Sequence, residues 1–256
     1  MTGDANNLPT DASTDAPTDA SAEPRADATD GLRDLIGRAR FVLFDFDGPV
    51  CRLFASHSAA LVARQQVEWL AEQGLHGLLE DGVRDDPDPH SVLRAVDHRH
   101  PDSDLVVELE ERLTREELKA VVSAWPTPYA DALIRTWTAV GVRLAIATNN
   151  SPRVAATYLS DRGLLDCFTP HIYGRTHDLQ LLKPNPYCVT RALSAMGAHP
   201  SSALLIGDSP TDYEAARAAG VEFLGYARNE HKEGLLREVG AEVVVRSLGA
   251  VLDCLR

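Results

Sequence analysis

Short apolar runs that stop at polar residues recur along the chain from residue 41 onward. The first run, Phe41 to Phe44, ends at Asp45 and leads into Gly48-Pro49, as a buried strand entering a turn would. Similar runs predict further strands at Val142–Ala147, Ala203–Ile206, Val221–Leu224 and Glu242–Val245. Helical patterns lie between and after these strands, at Tyr129–Val140, Pro152–Arg162, Pro186–Met196, Thr211–Ala219 and His231–Val239. This alternation indicates an α/β fold with an open parallel sheet.

The segment from about Ser56 to Ala124 breaks the alternation because its pattern is helical throughout. Its longest helix is predicted at Asp104–Ser123, with an apolar face formed by Leu105, Leu109, Leu113 and Leu118. We interpret residues 56–124 as a helical cap domain inserted after the first strand, in preference to an extra packing layer. Residues 31–55 and 125–256 would then form the core domain, and a cap beside the strand ends would exclude water and move to admit substrate.

Residues 1–30 differ from the rest of the chain in composition. They contain the imperfect repeat TDAS-TDAP-TDAS and several acids, with Arg25 as the single basic residue. We expect a disordered acidic tail because this stretch has almost nothing with which to form a core.

Charge and apolar content exclude some classes of function. The formal net charge of −13 argues against nonspecific binding to nucleic acid or to an anionic membrane. No apolar run approaches the roughly 20 residues that span a bilayer, and the N-terminus lacks the pattern of a signal peptide. The four cysteines are scattered and read as reduced thiols. We therefore expect a cytoplasmic protein, either a monomer or a homodimer.

Polar clusters follow the predicted strands at the points where the apolar runs end. Asp45 and Asp47 follow the first strand, and Thr148-Asn149 follows the second. Lys183 lies in a later loop, and Asp208 and Asp212 follow the strand that ends at Ile206. In a parallel sheet these ends share one edge, where ligands bind.

Four carboxylates at one edge require a counter-charge. Two like charges about 4 Å apart repel by roughly 4 kcal/mol at an effective dielectric constant near 20. Such a cluster either shifts its pKa values upward or binds a cation, and hard oxygen ligands favour Mg²⁺. Together with Lys183, Mg²⁺ would allow a phosphate dianion to bind among the acids.

The order of these motifs resembles that of the haloacid dehalogenase superfamily, in the branch that carries a helical cap after the first strand. The matching pieces are FVLFDFDGPV (41–50), LAIATNN (144–150), LLKPNP (181–186) and LLIGDSPTD (204–212). The resemblance covers the chain from about Phe41 to the C-terminal helix, and its general layout is similar to that of phosphoglycolate phosphatases. It implies a Rossmann-like core with a parallel sheet, a Mg²⁺ cofactor and a small phosphorylated metabolite as substrate.

The resemblance also implies a role for each motif residue. Asp45 would be the nucleophile that forms an aspartyl-phosphate, and Asp47 would protonate the leaving alcohol and then activate water. Thr148 would hydrogen-bond a phosphoryl oxygen, assisted by Asn149, and Lys183 would balance the charge. The expected metal ligands are Asp45, the backbone carbonyl of Asp47, Asp208 and, through water or by orienting ligands, Asp212. Arg175, in a loop near the same edge, is a candidate for binding a second anionic group of the substrate.

One departure and several alternatives accompany this interpretation. Pro49 stands where the family commonly has Thr; it stiffens the turn after the first strand, and it leaves the essential charges intact. A phosphomutase of the β-phosphoglucomutase kind would use the same Asp pair, and a non-catalytic protein that binds a phosphorylated ligand is the other rival. Dehalogenase and phosphonatase chemistry are disfavoured because those branches lack an acid at the Asp47 position. The absence of a Walker P-loop and of a GxGxxG motif disfavours kinases and dehydrogenases.

Overall fold

The computed structural model describes residues 26–255. Its main sheet has six parallel strands in the order β5-β4-β1-β6-β7-β8. These strands are β1 (Phe41–Phe44), β4 (Arg143–Ala147), β5 (Ile172–Tyr173), β6 (Ala203–Gly207), β7 (Glu222–Tyr226) and β8 (Val244–Val245). The predicted parallel α/β fold is confirmed, and each predicted strand is present with bounds shifted by a few residues at most.

Successive side chains of the central strands pack into two hydrophobic layers, one on each face of the sheet. Val42 and Phe44 of β1 face one layer, whereas Leu43 faces the other. The first layer lies against α1 (Ala26–Arg38), α6 (Ala130–Ala139), α7 (Pro152–Asp161), α8 (Leu165–Phe168) and α12 (Leu248–Asp253). The second lies against α9 (Tyr187–Met196), α10 (Pro210–Ala218) and α11 (Glu230–Glu238). Burial on both faces explains why the strands are uniformly apolar in sequence.

The register of the three central strands aligns the polar clusters that follow them. Phe44 of β1 lies opposite Ile146 of β4 and Ile206 of β6. The residues immediately beyond this level are Asp45, Ala147-Thr148 and Gly207-Asp208. Because all three strands run in the same direction, their carboxyl ends form one edge.

Residues 56–124 contain four helices that share a hydrophobic cluster, which Leu179 and Leu182 of a later loop also join. The helices are α2 (Ala59–Glu72), α3 (Asp81–Arg84), α4 (Pro89–Arg99) and α5 (Asp104–Val121), with a 3₁₀ turn at His76–Leu78. Leu70, Leu93 and Leu113 are fully buried members of the cluster. The Ser58, Asp88 and Ser103 side chains cap α2, α4 and α5, which fixes where these helices begin.

Two short strands at the ends of this helical segment were absent from the predicted set. β2 (Cys51–Arg52) and β3 (Trp125–Pro126) pair antiparallel, with Cys51 opposite Pro126 and Arg52 opposite Trp125. A two-residue strand has no periodicity of its own, so its pairing depends on contacts distant in sequence. The β2–β3 pair brings together the two points at which the chain enters and leaves the helical segment.

The structure tests the predictions on the N-terminal tail and on membrane spans only in part. Helix α1 begins at Ala26, so residues 26–30 of the predicted tail are helical, and the rest of that tail lies outside the described residues. Within residues 26–255, every helix is too short or too polar to cross a bilayer. The cytoplasmic location and the choice between monomer and homodimer stay predictions.

Candidate active site

The turn after β1 places two carboxylates at the sheet edge. The backbone N–H of Asp45 donates to the carbonyl of Ile206 at 2.8 Å, which fastens this turn to β6. Two residues further on, Asp47 Oδ1 accepts a hydrogen bond of 2.8 Å from the backbone N–H of Leu53. Gly48 has a φ of 125°, and a Cβ atom there would lie 2.5 Å from Cγ of Asp208. A glycine is therefore required for the turn after β1 to approach Asp208 this closely.

Lys183 is the buried cation of this edge, with a side chain only 2% exposed. Its ammonium group donates to Asp45 Oδ1 at 2.8 Å, to the carbonyl of Ala147 at 2.9 Å, and to Asp212 Oδ1. Asn149 holds the Lys183 loop, because its amide accepts from the Lys183 N–H at 2.8 Å and donates to the Lys183 carbonyl at 3.2 Å. The predicted site residues Asn149 and Lys183 are thus neighbours.

Asp212 organises the loop that carries Asp208. Its Oδ2 atom accepts from the backbone N–H groups of Asp208 and Ser209, each at 3.1 Å, and from the Ser209 hydroxyl at 2.7 Å. Ser209 in turn caps α10 by accepting from the Asp212 N–H, which completes a capping box. The second oxygen of Asp212 is the one bound to Lys183. Both oxygens of Asp212 therefore have protein donors.

The carboxylates that remain fit a hard divalent cation. Oxygen atoms of Asp45, Asp208 and Asp212 lie within 4.8 Å of one another. Lys183 binds Oδ1 of Asp45, and Lys232 binds Oδ2 of Asp208 at 2.9 Å. The other oxygen of each carboxylate receives no hydrogen bond from residues 26–255. Carboxylate oxygens of this kind are the ligands that Mg²⁺ prefers. We call Asp45, Asp47, Asp208, Asp212 and Lys183 the strand-edge cluster.

Burial and mutual repulsion raise the pKa values of the strand-edge acids. Burial raises the pKa of Asp47 to about 7, and the charges on Asp208 and Asp45 add to the rise, against the hydrogen bond from Leu53. Burial and the charge on Asp212 raise the pKa of Asp45 to about 6, although Lys183 opposes them. Burial also raises the pKa of Asp208. These protein groups alone leave the edge with excess negative charge.

Lys183 stays protonated in this environment. Burial by itself would lower the pKa of the Lys183 ammonium, but the charges on Asp212 and Asp45 raise it above its ordinary value. The charged form is thus the one that these carboxylates stabilise. The strand-edge cluster therefore combines one buried cation, Lys183, with four carboxyl groups.

Thr148 follows β4 at the same edge and is 1% exposed. Its hydroxyl donates to Asn150 Oδ1 at 3.1 Å and accepts from the Asn150 N–H at 3.2 Å. The turn from Thr148 to Ser151 is further held by Glu117 of α5, which accepts from Asn150 Nδ2 at 2.9 Å and from the Ser151 N–H at 3.2 Å. A helix of the inserted segment therefore fixes this turn of the core.

Arg175, the candidate for binding a second anionic group, lies beside the turn at Asn149, and its guanidinium is engaged by groups of the protein. Its guanidinium is fully buried and pairs with Glu117 through two hydrogen bonds of 2.9 Å and with Glu110 through a third of 2.9 Å. Further contacts reach Thr114 Oγ1 at 2.8 Å and His90 Nε2 at 3.2 Å. Because these partners occupy its donors, Arg175 joins the helical segment to the core instead of facing an incoming anion. We call Arg175, Glu117, Glu110 and His90 the junction cluster.

A cavity of about 640 Å³ adjoins the strand-edge cluster. Its wall includes Asp47 and Asp208 from the sheet edge and Arg52 from β2. Arg228, which follows β7, and Lys232 of α11 complete its charged lining. The first residues of the helical segment, from Ser56 to Ala59, form part of the same wall. The cavity is therefore bounded by the core on one side and by the start of the inserted segment on the other.

Sequence reasoning missed Lys232 and Glu117. Lys232 lies in the first turn of α11, and nothing near it in sequence indicates that it reaches Asp208, 24 residues earlier. Glu117 did leave a signal, since it lies four residues after Leu113 on a helix whose other buried positions are mostly apolar. The predicted face instead used Leu118, which is only partly buried.

Comparison with known proteins gives a family match over most of the chain. The model of a family described as haloacid dehalogenase-like hydrolase matches residues 39–220. A phosphoglycolate phosphatase of Rhodospirillum rubrum is 37% identical over 105 residues, which cover 40% of this chain and 43% of that protein. Another, from Neisseria gonorrhoeae, is 28% identical over 196 residues, which cover 74% of this chain and 80% of that protein.

Solved structures share the fold at low sequence identity. A structure described as a predicted phosphatase from Clostridium acetobutylicum aligns with a TM-score of 0.62 at 17% identity, over 84% of this chain and 97% of that one. A predicted phosphoglycolate phosphatase from Haemophilus somnus aligns with a TM-score of 0.61 at 17% identity, over 86% and 99% of the two chains. At this identity both alignments bear on the fold alone.

Proposed function

Because the chain belongs to the haloacid dehalogenase-like hydrolase family, we propose that it is a Mg²⁺-dependent phosphatase that hydrolyses a small phosphate monoester through a covalent intermediate on Asp45. The observation that carries the proposal is the pair Asp45 and Asp47 at the end of β1, with Asp45 bound to Lys183 and Asp47 on the wall of the cavity. The names of the curated relatives support phosphate esters as the substrate class.

The first step transfers the phosphoryl group to the protein. A carboxylate oxygen of Asp45 attacks phosphorus, the ester P–O bond breaks, and the leaving oxygen takes a proton from Asp47. Lys183 orients the nucleophile, since it binds Asp45 Oδ1 and is itself fixed by Asp212 and the carbonyl of Ala147. A covalent intermediate of this kind divides one difficult reaction into two easier ones.

The second step releases phosphate. Asp47, now ionised, takes a proton from a water molecule that attacks phosphorus, and the bond between phosphorus and the Asp45 oxygen breaks. The hydrogen bond from the Leu53 N–H fixes Asp47 Oδ1, so the second oxygen of this carboxyl group is the one that would exchange the proton. Thr148 would donate to a phosphoryl oxygen after leaving Asn150, its partner in this structure.

Asp45, Asp208 and the carbonyl of Asp47 would hold Mg²⁺, with Asp212 keeping the Asp208 loop in place. The bound cation supplies positive charge against the acids and the phosphate dianion, which is the main requirement of phosphoryl transfer. We further propose that residues 56–124 act as a cap over this edge. The contacts of Glu117 with Asn150 and Ser151 support that assignment, because they join the helical segment to the core beside the site.

The test is phosphate release from a panel of small phosphate monoesters, with and without Mg²⁺. We expect release that requires the metal and that falls at least about 10³-fold in an Asp45→Asn protein. Asp161→Asn is the matched control, because Asp161 is an exposed acid at the end of α7. The phosphoryl adduct on Asp45 should be detectable by mass spectrometry after rapid acid quenching. Undiminished release by the Asp45→Asn protein would exclude the covalent route, and metal-independent release would exclude the role of Mg²⁺.

A further inference from the structure

The cavity beside the strand-edge cluster carries basic side chains that the proposed chemistry does not use. Of its three cations, Lys232 is committed to Asp208, with its ammonium 2.9 Å from Oδ2 and 3.3 Å from the backbone carbonyl. Arg52 and Arg228 are different. Neither guanidinium forms an ion pair or a side-chain hydrogen bond with any residue of the 26–255 range. They therefore keep their hydrogen-bonding capacity for another partner.

Arg52 is held in position although it lacks a polar partner. Its guanidinium carbon lies 5.3 Å from the centre of the Trp125 ring on the paired strand β3. Its Nε atom is buried and has no hydrogen-bond partner. A buried donor that is left unbonded is unfavourable unless a ligand satisfies it. The buried cations Lys183 and Arg175, by contrast, donate hydrogen bonds to carboxylates.

Both arginines lie close to the proposed phosphate site. Arg52 precedes Leu53, whose N–H donates to Asp47 Oδ1. Arg228 follows β7, the strand next to β6, at whose end Asp208 lies. Burial raises the pKa of the Tyr226 hydroxyl, and the charges that act on it include Asp208, which raises the pKa, and Arg52 and Arg228, which lower it. The two guanidinium groups thus act on the same hydroxyl as Asp208 does, and both line the cavity that Asp208 lines.

We propose that Arg52 and Arg228 bind a second anionic group of the substrate, a carboxylate or a second phosphate, while its ester phosphate lies at the strand-edge cluster. A guanidinium group presents paired donors that match the oxygens of a carboxylate or phosphate. This inference rests on the proposed function, and it assigns to Arg52 and Arg228 the role that the sequence suggested for Arg175.

Matched pairs of esters test the proposal. One pair is phosphoglycolate and hydroxyethyl phosphate, which differ in a carboxylate, and the other is propanediol bisphosphate and propanediol monophosphate, which differ in a phosphate. In at least one pair, we expect the wild-type protein to prefer the ester with the second anionic group by about tenfold or more in kcat/KM. The pair that shows the preference identifies the second group as carboxylate or phosphate.

Variants assign the preference to residues. Each of the variants Arg52→Gln and Arg228→Gln should raise KM for the ester with the second anionic group by about 10- to 100-fold. This is the range expected for a lost hydrogen bond to a charged group. The partner ester, which lacks the second anionic group, should change by less than about threefold. Arg33→Gln, on the exposed side of α1, is the matched control. Equal losses on both esters would mean that the arginines act on the transferred phosphate, and that result would overturn the proposal.

Binding measurements separate this inference from the proposed function. Calorimetry on the Asp45→Asn protein with Mg²⁺ should show tighter binding of the ester that carries the second anionic group. This difference in affinity between the two esters should vanish when Arg52→Gln is added. If the wild-type protein releases no phosphate but this binding difference is present, the hydrolase proposal fails and the anion site stands. If both esters of each pair bind equally, or neither binds, the anion site is excluded whatever the catalytic result.

Discussion

The strand-edge cluster and the junction cluster are both buried ionic groups, yet their charges are balanced differently. In the junction cluster, Glu117 is fully buried, and both of its oxygens receive donors from Arg175 and from the turn at Asn150-Ser151. Burial alone would raise the pKa of Glu117, but the charge of Arg175 holds it below its ordinary value. In the strand-edge cluster, the pKa values of Asp45, Asp47 and Asp208 are raised instead.

The difference separates a structural use of buried charge from the catalytic use that we propose for the strand-edge cluster. The stabilisation is mutual, since Glu117 and Glu110 raise the pKa of the Arg175 guanidinium despite its burial. The junction is complete without a ligand, whereas Asp45 and Asp208 each keep one oxygen to which no described donor is bonded. Unbalanced carboxylates at a ligand-binding edge are typical of functional sites. The following substitutions test this comparison, beginning with the largest expected effect.

Asp47→Asn should affect catalysis far more than stability. Asparagine cannot give or take the proton, so we expect kcat to fall by about 10²- to 10⁴-fold. The free energy of unfolding should change by less than about 1 kcal/mol. Asparagine keeps the shape of the side chain, and it removes a buried carboxyl group that is repelled by Asp45 and Asp208. Steady-state phosphate release and urea unfolding measure the two quantities. A variant that kept its kcat would remove Asp47 from the proposed mechanism.

Glu117→Ala should have the opposite profile. The substitution leaves Arg175 without its bidentate partner, and the loss of one member of a buried ion pair costs about 3–5 kcal/mol. We expect a lower urea midpoint with little change in the slope of the transition. Glu111→Ala, on the exposed face of the same helix, is the control and should change the free energy of unfolding by less than about 0.5 kcal/mol. A loss as small as that of the control would refute the balanced-pair interpretation.

Magnesium should stabilise the protein through one cluster only. At a concentration 100 times its dissociation constant, a ligand of the folded state adds about 2.7 kcal/mol, or roughly 5–10 °C in Tm for a protein of this size. Asp208→Asn should abolish the increase, and Glu117→Gln should retain it although its starting Tm is lower. Thermal melts with and without Mg²⁺ measure both. An equal increase in Tm for the Asp208→Asn protein would place the metal elsewhere.

The smallest effect concerns the pH dependence of the junction. Because the pKa of Glu117 is below its ordinary 4.5 in the folded protein, its ionised form stabilises folding above that value. This contribution should decrease as pH falls from 4.5 through the folded pKa, since the unfolded chain then binds more protons. The stability difference between the wild type and Glu117→Gln should therefore narrow in acid. A difference that stayed constant down to about pH 3 would contradict the lowered pKa.

Much of the strand-edge cluster could be predicted from local sequence. The apolar run of β1 specifies a strand buried on both faces, and Asp45 follows its last residue. The same holds for Thr148 after β4 and Asp208 after β6. Parallel strands place such residues at one edge without any knowledge of long-range contacts. Lys183 was found through the order of the motifs, and its hydrogen bonds to Asp45 and Asp212 required the structure.

The junction cluster could not be predicted in the same way, because each of its contacts depends on how α5 docks on the core. Glu117 and Asn150 are 33 residues apart, and Glu117 and Arg175 are 58 apart. A rotation of α5 by one residue would bury Leu118 in place of Glu117, and helical periodicity alone does not distinguish the two arrangements. Arg175 was accordingly predicted to face the substrate, whereas its neighbours across the junction make it a structural cation.

By itself, the sequence determined the α/β class, the extra helical segment and the set of acids at the strand ends, because each depends on the short-range alternation of apolar and polar residues. Only the tertiary structure decided which charges are neutralised. It paired Lys232 with Asp208 and Arg175 with Glu117, and it left Arg52 and Arg228 on the cavity wall without an ion-pair partner among residues 26–255. The physical reason is that electrostatic balance depends on distance and burial, and residues far apart in sequence set both.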